Sequence, residues 1–129
     1  MKKLMMTVAL VLAAGAAQAN PLVGTWKTAP DDNGNFGHVQ VKACGAAFCG
    51  TLVKAFDGSG KEIKSDNVGK KIIWDMVSYP DGLYDDGKVW SPDRNKTYDS
   101  DMTLSGNTVK VRGCVMGICR NGGTWTKVK

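Results

Sequence analysis

From residue 22 onward, apolar and polar side chains alternate in short runs, and Gly, Asn, Asp and Pro break the runs at intervals of roughly eight to twelve residues. No stretch sustains the 3.6-residue period of an amphipathic helix. The runs are rich in Val, Ile, Thr, Trp and Tyr, which fit a pleated, half-buried surface. Eight strands are predicted, over residues 22–28, 37–43, 50–56, 70–78, 83–90, 96–104, 108–114 and 120–128. In the second, Val39 and Val41 oppose Gln40 and Lys42, the mark of a strand buried on one face. In the fourth, Ile72, Trp74 and Met76 share one face against Ile73, Asp75 and Val77. Tyr98, Met102 and Leu104 share a face of the sixth, and Val109 and Val111 follow in the seventh. The third strand alternates without declaring its buried side.

Turn chemistry separates these runs. Residues 31–34, Asp57-Gly58-Ser59-Gly60, Pro80-Asp81-Gly82, residues 91–95 and Gly106-Asn107 supply left-handed or fixed-φ positions. Asp85-Asp86-Gly87 is a hairpin signal that could split the fifth strand in two. Residues 61–69 form the longest polar connection, long enough for a short helical turn or a lid. Consecutive strands joined by short links make a meander, and eight meandering strands close into a barrel with no free edge. The expected fold is therefore all-β, a small antiparallel up-and-down barrel with little helix. A barrel of this size is either filled by side chains or just wide enough for one small ligand.

The first residues are read separately. Lys2 and Lys3, a short apolar run over 4–12 and Ala17-Gln18-Ala19 have the form of a cleaved export signal, so residues 1–19 are expected to be removed. About 110 of the 129 residues remain, enough for a single domain spanning 20–129. The apolar run is too short to span a bilayer, which needs roughly 20 residues. The expected location is the periplasm or beyond it. Four cysteines, Cys44, Cys49, Cys114 and Cys119, then imply disulfides. Three connectivities are open, and the equal spacing within each pair favours Cys44 with Cys49 and Cys114 with Cys119. Long-range bridges would stabilise more, about 4 kcal/mol against about 2 kcal/mol for so short a loop, but neighbouring antiparallel strands meet the distance requirement most easily. A four-thiolate zinc site is the alternative. It usually uses closer Cys-x-x-Cys spacing, and no such redox motif is present.

Charge narrows the function further. The formal net charge of +5 includes Lys2 and Lys3, which leaves about +3 for the remainder, with cations scattered among aspartates. Nucleic-acid binding normally needs a concentrated basic face, so none is expected. His38 is the sole histidine, which leaves no ordinary triad or His-rich metal site. Asp93, Asn95, Asp99 and Asp101 lack the glycine and closing glutamate of a calcium loop. Gly58-Ser59-Gly60-Lys61 lacks the pattern of a nucleotide loop. No catalytic residue, metal or cofactor is expected. The aromatic and sulfur-bearing side chains are more suggestive. Trp26, Val39, Val41, Trp74, Met76, Trp90, Tyr98, Met102 and Trp125 are the candidate lining of the barrel interior.

Two resemblances bear on this reading. Leu22-Val23-Gly24-Thr25-Trp26-Lys27 resembles the Gly-x-Trp opening of lipocalins and fatty-acid-binding proteins. There the tryptophan packs across one end of the barrel near a basic residue of the last strand, a part Arg120 or Lys127 would play here. Residues 41–53, around Cys44-Gly45-Ala46-Ala47-Phe48-Cys49-Gly50, resemble a segment of the exported bacterial family known as domain of unknown function 2147. The stretch from Gly87-Lys88-Val89-Trp90-Ser91-Pro92 through Lys96-Thr97-Tyr98 to Met102-Thr103-Leu104 is similar to that family's later pattern. So is the ending, Val111-Arg112-Gly113-Cys114-Val115, Cys119-Arg120 and Trp125-Thr126-Lys127-Val128. The resemblance implies a lipocalin-like fold and supplies no reaction. The expected function is a non-enzymatic binder of a small hydrophobic or amphipathic ligand, monomeric and not inserted in the membrane. The alternative is a packed barrel that contacts an envelope partner through its surface.

Overall fold

The computed structural model describes residues 20–129; the leader expected over residues 1–19 lies outside the described residues. The described residues form nine strands: β1 (Gly24–Lys27), β2 (Phe36–Cys44), β3 (Ala47–Phe56), β4 (Glu62–Ile63), β5 (Lys71–Ser78), β6 (Leu83–Ser91), β7 (Lys96–Ser105), β8 (Thr108–Val115) and β9 (Ile118–Lys127). Every pairing is antiparallel. The sheet runs β2-β1-β9-β8-β7-β6-β5-β3, and β2 also pairs with β3, so eight strands close into a barrel. The two-residue β4 hangs on the outside of that circuit, paired only to β3. A single 3₁₀ turn, Pro80–Gly82, joins β5 to β6.

The predicted strands are all present, with three differences. The cysteine-bounded loops are far tighter than six residues. Cys44 pairs with Ala47 and Val115 with Ile118, so each hairpin turns in two residues and the cysteines belong to the strands. Both disulfides are local, Cys44–Cys49 and Cys114–Cys119, with Cα atoms 5.8 and 4.0 Å apart. Asp85-Asp86-Gly87 does not divide β6. Asp86 takes a left-handed φ of 67° and the strand continues through a bulge. The 61–69 connection contains β4 and no helix.

The alternating directions of the strands sort the connections to two ends. At one end, here the base, lie the chain start, the β2–β3, β5–β6 and β7–β8 turns, and the C-terminus. At the other, the rim, lie residues 28–35, 57–70 and 92–95 and the β8–β9 turn. The base is sealed by the segment before β1. Leu22 is fully buried, and its N–H donates to Asn20 Oδ1 at 2.9 Å. Tyr84 donates its hydroxyl to the same oxygen at 2.8 Å. The Trp26 indole donates to the Leu22 carbonyl at 2.9 Å. Lys127 stands 5.3 Å over the Trp26 ring and donates to the carbonyls of Pro21 at 2.9 Å and Val23 at 3.0 Å. Gly24 makes this closure feasible. Its φ is 146°, and an added Cβ would meet the Lys129 carbonyl oxygen at 2.6 Å.

Candidate functional site

Six of the nine residues expected to line the interior, Trp26, Val39, Val41, Met76, Met102 and Trp125, lie together in one buried cluster. They fill the barrel. A Cβ added at Gly50 would meet Val39 Cγ1 at 2.7 Å and Ile73 Cγ1 at 3.0 Å, and one at Gly87 would meet Met76 Sδ at 2.6 Å. Contacts that close leave no room for another heavy atom beside those glycines, as in any close-packed interior. Phe48 completes the packing at the base, its ring edge-on to Tyr84 with centroids 5.8 Å apart.

Trp74 and Trp90 correct the expected lining. Trp74 pairs with Lys88 and Trp90 with Thr97, whereas their neighbours Ile73 and Val89 pair with each other. The inward face belongs to Ile73, which is fully buried, so the register sets both indoles on the opposite face, where Trp90 still packs against the edge of the hydrophobic core. The cause lies in β5. The register against β3 passes over Ile72, and Asp75 takes a φ of 56°. These irregularities break the simple alternation, so Trp74 and Met76 no longer share a face. Trp90 is half-buried, donates its indole N–H to Asn95 Oδ1 at 3.2 Å and carries Lys70 5.3 Å above its ring.

Tyr98 behaves differently from either group. It faces inward, paired with Val89, yet is only half-buried because it lies near the rim. Directly paired residues share a face, so the registers define two inward rows across β5 to β9. The lower row is Gly87, Ser100, Gly113 and Arg120, each paired with the next. The upper row holds Ile73, Val89 and Tyr98, again in direct register, and the pair Val115 and Ile118 continues on the same face. The nearest atoms to a Cβ added at Gly113 would be those of Tyr98, at 3.5 Å, an ordinary van der Waals distance. Space therefore remains beside this glycine that does not exist beside Gly50 or Gly87. Arg120, exposed at the end of the row, makes no ion pair with any other described residue.

The sequence reading gave no role to Val89, Ser100 or Gly113, and weighed Arg120 only as a basic partner for Trp26. Their association exists only through the register. That register could be counted back from the tight Gly106-Asn107 turn, because Ser105 pairs with Thr108 and the same ladder brings Ser100 to Gly113.

Other polar groups lie on the outer wall. Arg112 grips Asp101 in a two-pronged contact, with Nε donating to Oδ1 at 2.7 Å, and Lys88 pairs with Asp99. The carboxylate holds the Arg112 guanidinium even more firmly protonated than usual. Asp101 is also the only carboxylate grouped with the sulfurs of Cys114 and Cys119 among the described residues. Both sulfurs are spent in a disulfide and the carboxylate is committed to Arg112, so the trio is not a metal site. His38 sits between Lys27 and Lys54 in the register and tilts against Phe56, centroids 4.6 Å apart. Partial burial, then Lys54 and Lys27, hold its pKa below the ordinary imidazole value. Beyond it, Val53, Ile63 and Val68 floor a shallow groove of about 420 Å3 between β3 and the 62–68 segment, edged by Lys54, Lys64, Glu62 and Asp66.

Closure of the barrel, the Gly-Thr-Trp plug at its base and the two local disulfides are the features to set against known proteins. The family model described as "Uncharacterized protein conserved in bacteria (DUF2147)" matches residues 24–127, the whole barrel. The chain belongs to the DUF2147 family. No curated protein matches it. Among solved structures, this chain is similar to protein HP1028 from the human pathogen Helicobacter pylori, described as belonging to the lipocalin family. The TM-score is 0.68, over 86% of this chain and 85% of that one, at 16% sequence identity. That likeness establishes a lipocalin-like fold for this DUF2147 member. Its two disulfides accord with an oxidising compartment. Among the described residues, no helix is long and apolar enough to cross a membrane.

Proposed function

We propose that this protein is a non-enzymatic binder of a small amphipathic molecule, held at the rim of the barrel and not in its depth. It acts as a monomer in the periplasm or outside the cell. The observation that carries the reading is the inward register of Tyr98, Gly113 and Arg120 on β7, β8 and β9. A half-buried phenol ring offers an apolar face. The neighbouring glycine leaves space, and the arginine offers a fork of donors to a carboxylate or phosphate head. The packed base excludes a long acyl chain lying deep in the barrel, which narrows the ligand to one whose apolar part is short or flat. Native mass spectrometry of the protein taken from its own host, before and after denaturation, tests this. A releasable mass that is lost in Arg120→Gln is the expected result.

A second reading, a packed barrel acting through its surface, is favoured by the filled lower interior and by the groove floored by Val53, Ile63 and Val68. A bare native mass, short by four hydrogens for two disulfides, would move the assignment there.

A further inference from the structure

The two disulfide-clamped hairpins have the same spacing and opposite fates. In the β2–β3 hairpin, Phe48 packs into the core against Tyr84. In the β8–β9 hairpin, Val115, Met116 and Ile118 remain 54%, 94% and 66% exposed. Three adjacent large apolar side chains at a turn are not covered by any described part of the chain. The turn itself is unusual in its residues. Met116 and Gly117 are its two central residues, with φ of 52° and 82°, both left-handed. A two-residue hairpin turn of that shape normally takes Asn-Gly or Asp-Gly. A methionine there incurs backbone strain and exposes its side chain to water, and the fold gains nothing visible in return.

Charge indicates what the tip meets. After Asp101 the chain has no acidic residue, but carries Lys110, Arg112, Arg120, Lys127 and Lys129. Arg112 is engaged by Asp101, and Lys110, Lys127 and Lys129 lie toward the base, which leaves Arg120 immediately behind the apolar tip. The adjacent β6–β7 turn adds Arg94 and Lys96 against Asp93 at the same rim. An apolar tip backed by cations is the pattern of an element that enters the boundary between acyl chains and negatively charged head groups. The Cys114–Cys119 bridge links directly paired residues just behind the tip, so the three side chains are presented by a braced hairpin and not by a loose loop.

We infer that the β8–β9 hairpin tip is a docking surface for an anionic lipid bilayer, with Val115, Met116 and Ile118 entering the interface and Arg120 meeting phosphate groups. The inference shares Arg120 with the ligand site proposed above, and Met116→Asn, which lies outside that site, separates the two. The experiment is co-sedimentation of the exported protein, its mass verified to begin at Asn20, with vesicles of phosphatidylcholine alone or mixed equally with phosphatidylglycerol. Expected are binding to the anionic vesicles only and weakening at high salt. Met116→Asn should weaken binding on the order of tenfold, because a buried apolar side chain is lost. The same variant should melt no lower than the parent, since asparagine suits the left-handed position. Arg120→Gln should weaken binding roughly fivefold. Val23→Asn, at the opposite end, should bind unchanged. Absence of binding to anionic vesicles overturns the proposal, as does full binding by Met116→Asn. Self-association in vesicle-free solution that Met116→Asn abolishes would overturn it too, by assigning the tip to a second copy of the chain.

Discussion

The base and the rim of this barrel are built from the same strands and obey different rules. At the base, Leu22, Trp26, Met76, Tyr84 and Met102 are sealed from water and interlocked, and the chain start is tied across them by hydrogen bonds from Tyr84, Trp26 and Lys127 to Asn20, Leu22, Pro21 and Val23. At the rim, the same inward faces carry glycine, serine, a half-buried tyrosine and an exposed arginine. The lesson is that closure of a small barrel does not commit its whole interior. Stability is concentrated at the base, and the rim is free to hold side chains that packing alone would not select.

Truncation should separate the two ends most sharply. Trp26→Ala removes a fully buried indole and is expected to cost about 3–5 kcal/mol, whereas Tyr98→Ala should cost about 1 kcal/mol. Urea denaturation of both variants checks this, and equal losses would show that the rim is core as well. Next in size is a glycine pair in the same inward row, on β6 and β8 with β7 between them. Gly87→Ala drives a methyl into Met76 and should cost about 1–3 kcal/mol, while Gly113→Ala meets Tyr98 at an ordinary distance and should stay within about 0.5 kcal/mol. Melting temperatures that fall together would remove the space inferred beside Gly113.

The disulfides come third. Each short loop is expected to contribute about 2 kcal/mol, so strong reductant should lower the melting temperature without unfolding the protein at room temperature. Replacing Cys44 and Cys49 should cost more than replacing Cys114 and Cys119, because Cys49 is itself buried whereas Cys119 is only half-buried. The smallest effect expected is a pH dependence from His38. Its folded pKa lies below the unfolded value near 6.5, so the neutral ring is favoured in the fold. The contribution is complete above about pH 6.5 and is lost as pH falls through the lower folded value. His38→Gln should flatten that part of a melting-temperature profile between pH 5 and pH 7; an unchanged slope would remove His38 as its source.

The strands were legible because each is buried on one face, and a period of two survives in residues such as Val39, Gln40, Val41 and Lys42. The plug was legible in Gly24-Thr25-Trp26, and of its two proposed basic partners the structure selects Lys127, because Lys127 is the direct register partner of Trp26. Trp74 was misplaced for a physical reason. A left-handed Asp75 shifts the phase of β5, and nothing in a run of alternating residues announces a bulge at an aspartate. The rim escaped for another. Val89 and Tyr98 on one hairpin and Gly113 and Arg120 on the next are unremarkable singly; only the ladder of pairings brings the two sets together.

Nearly every pairing in the barrel joins strands adjacent along the chain, which favours rapid assembly hairpin by hairpin. The exception is the seam between β1 and β9, two residue pairs long, Trp26 with Lys127 and Lys27 with Thr126, extended by bonds from Thr25 to Val128 and Lys129. Closing it joins strands separated by almost the whole domain, the longest loop closure in the barrel. During synthesis the first strand must therefore wait for the last few residues to appear. Until β9 is present to pair with β1, the other strands form an open sheet with two bare edges.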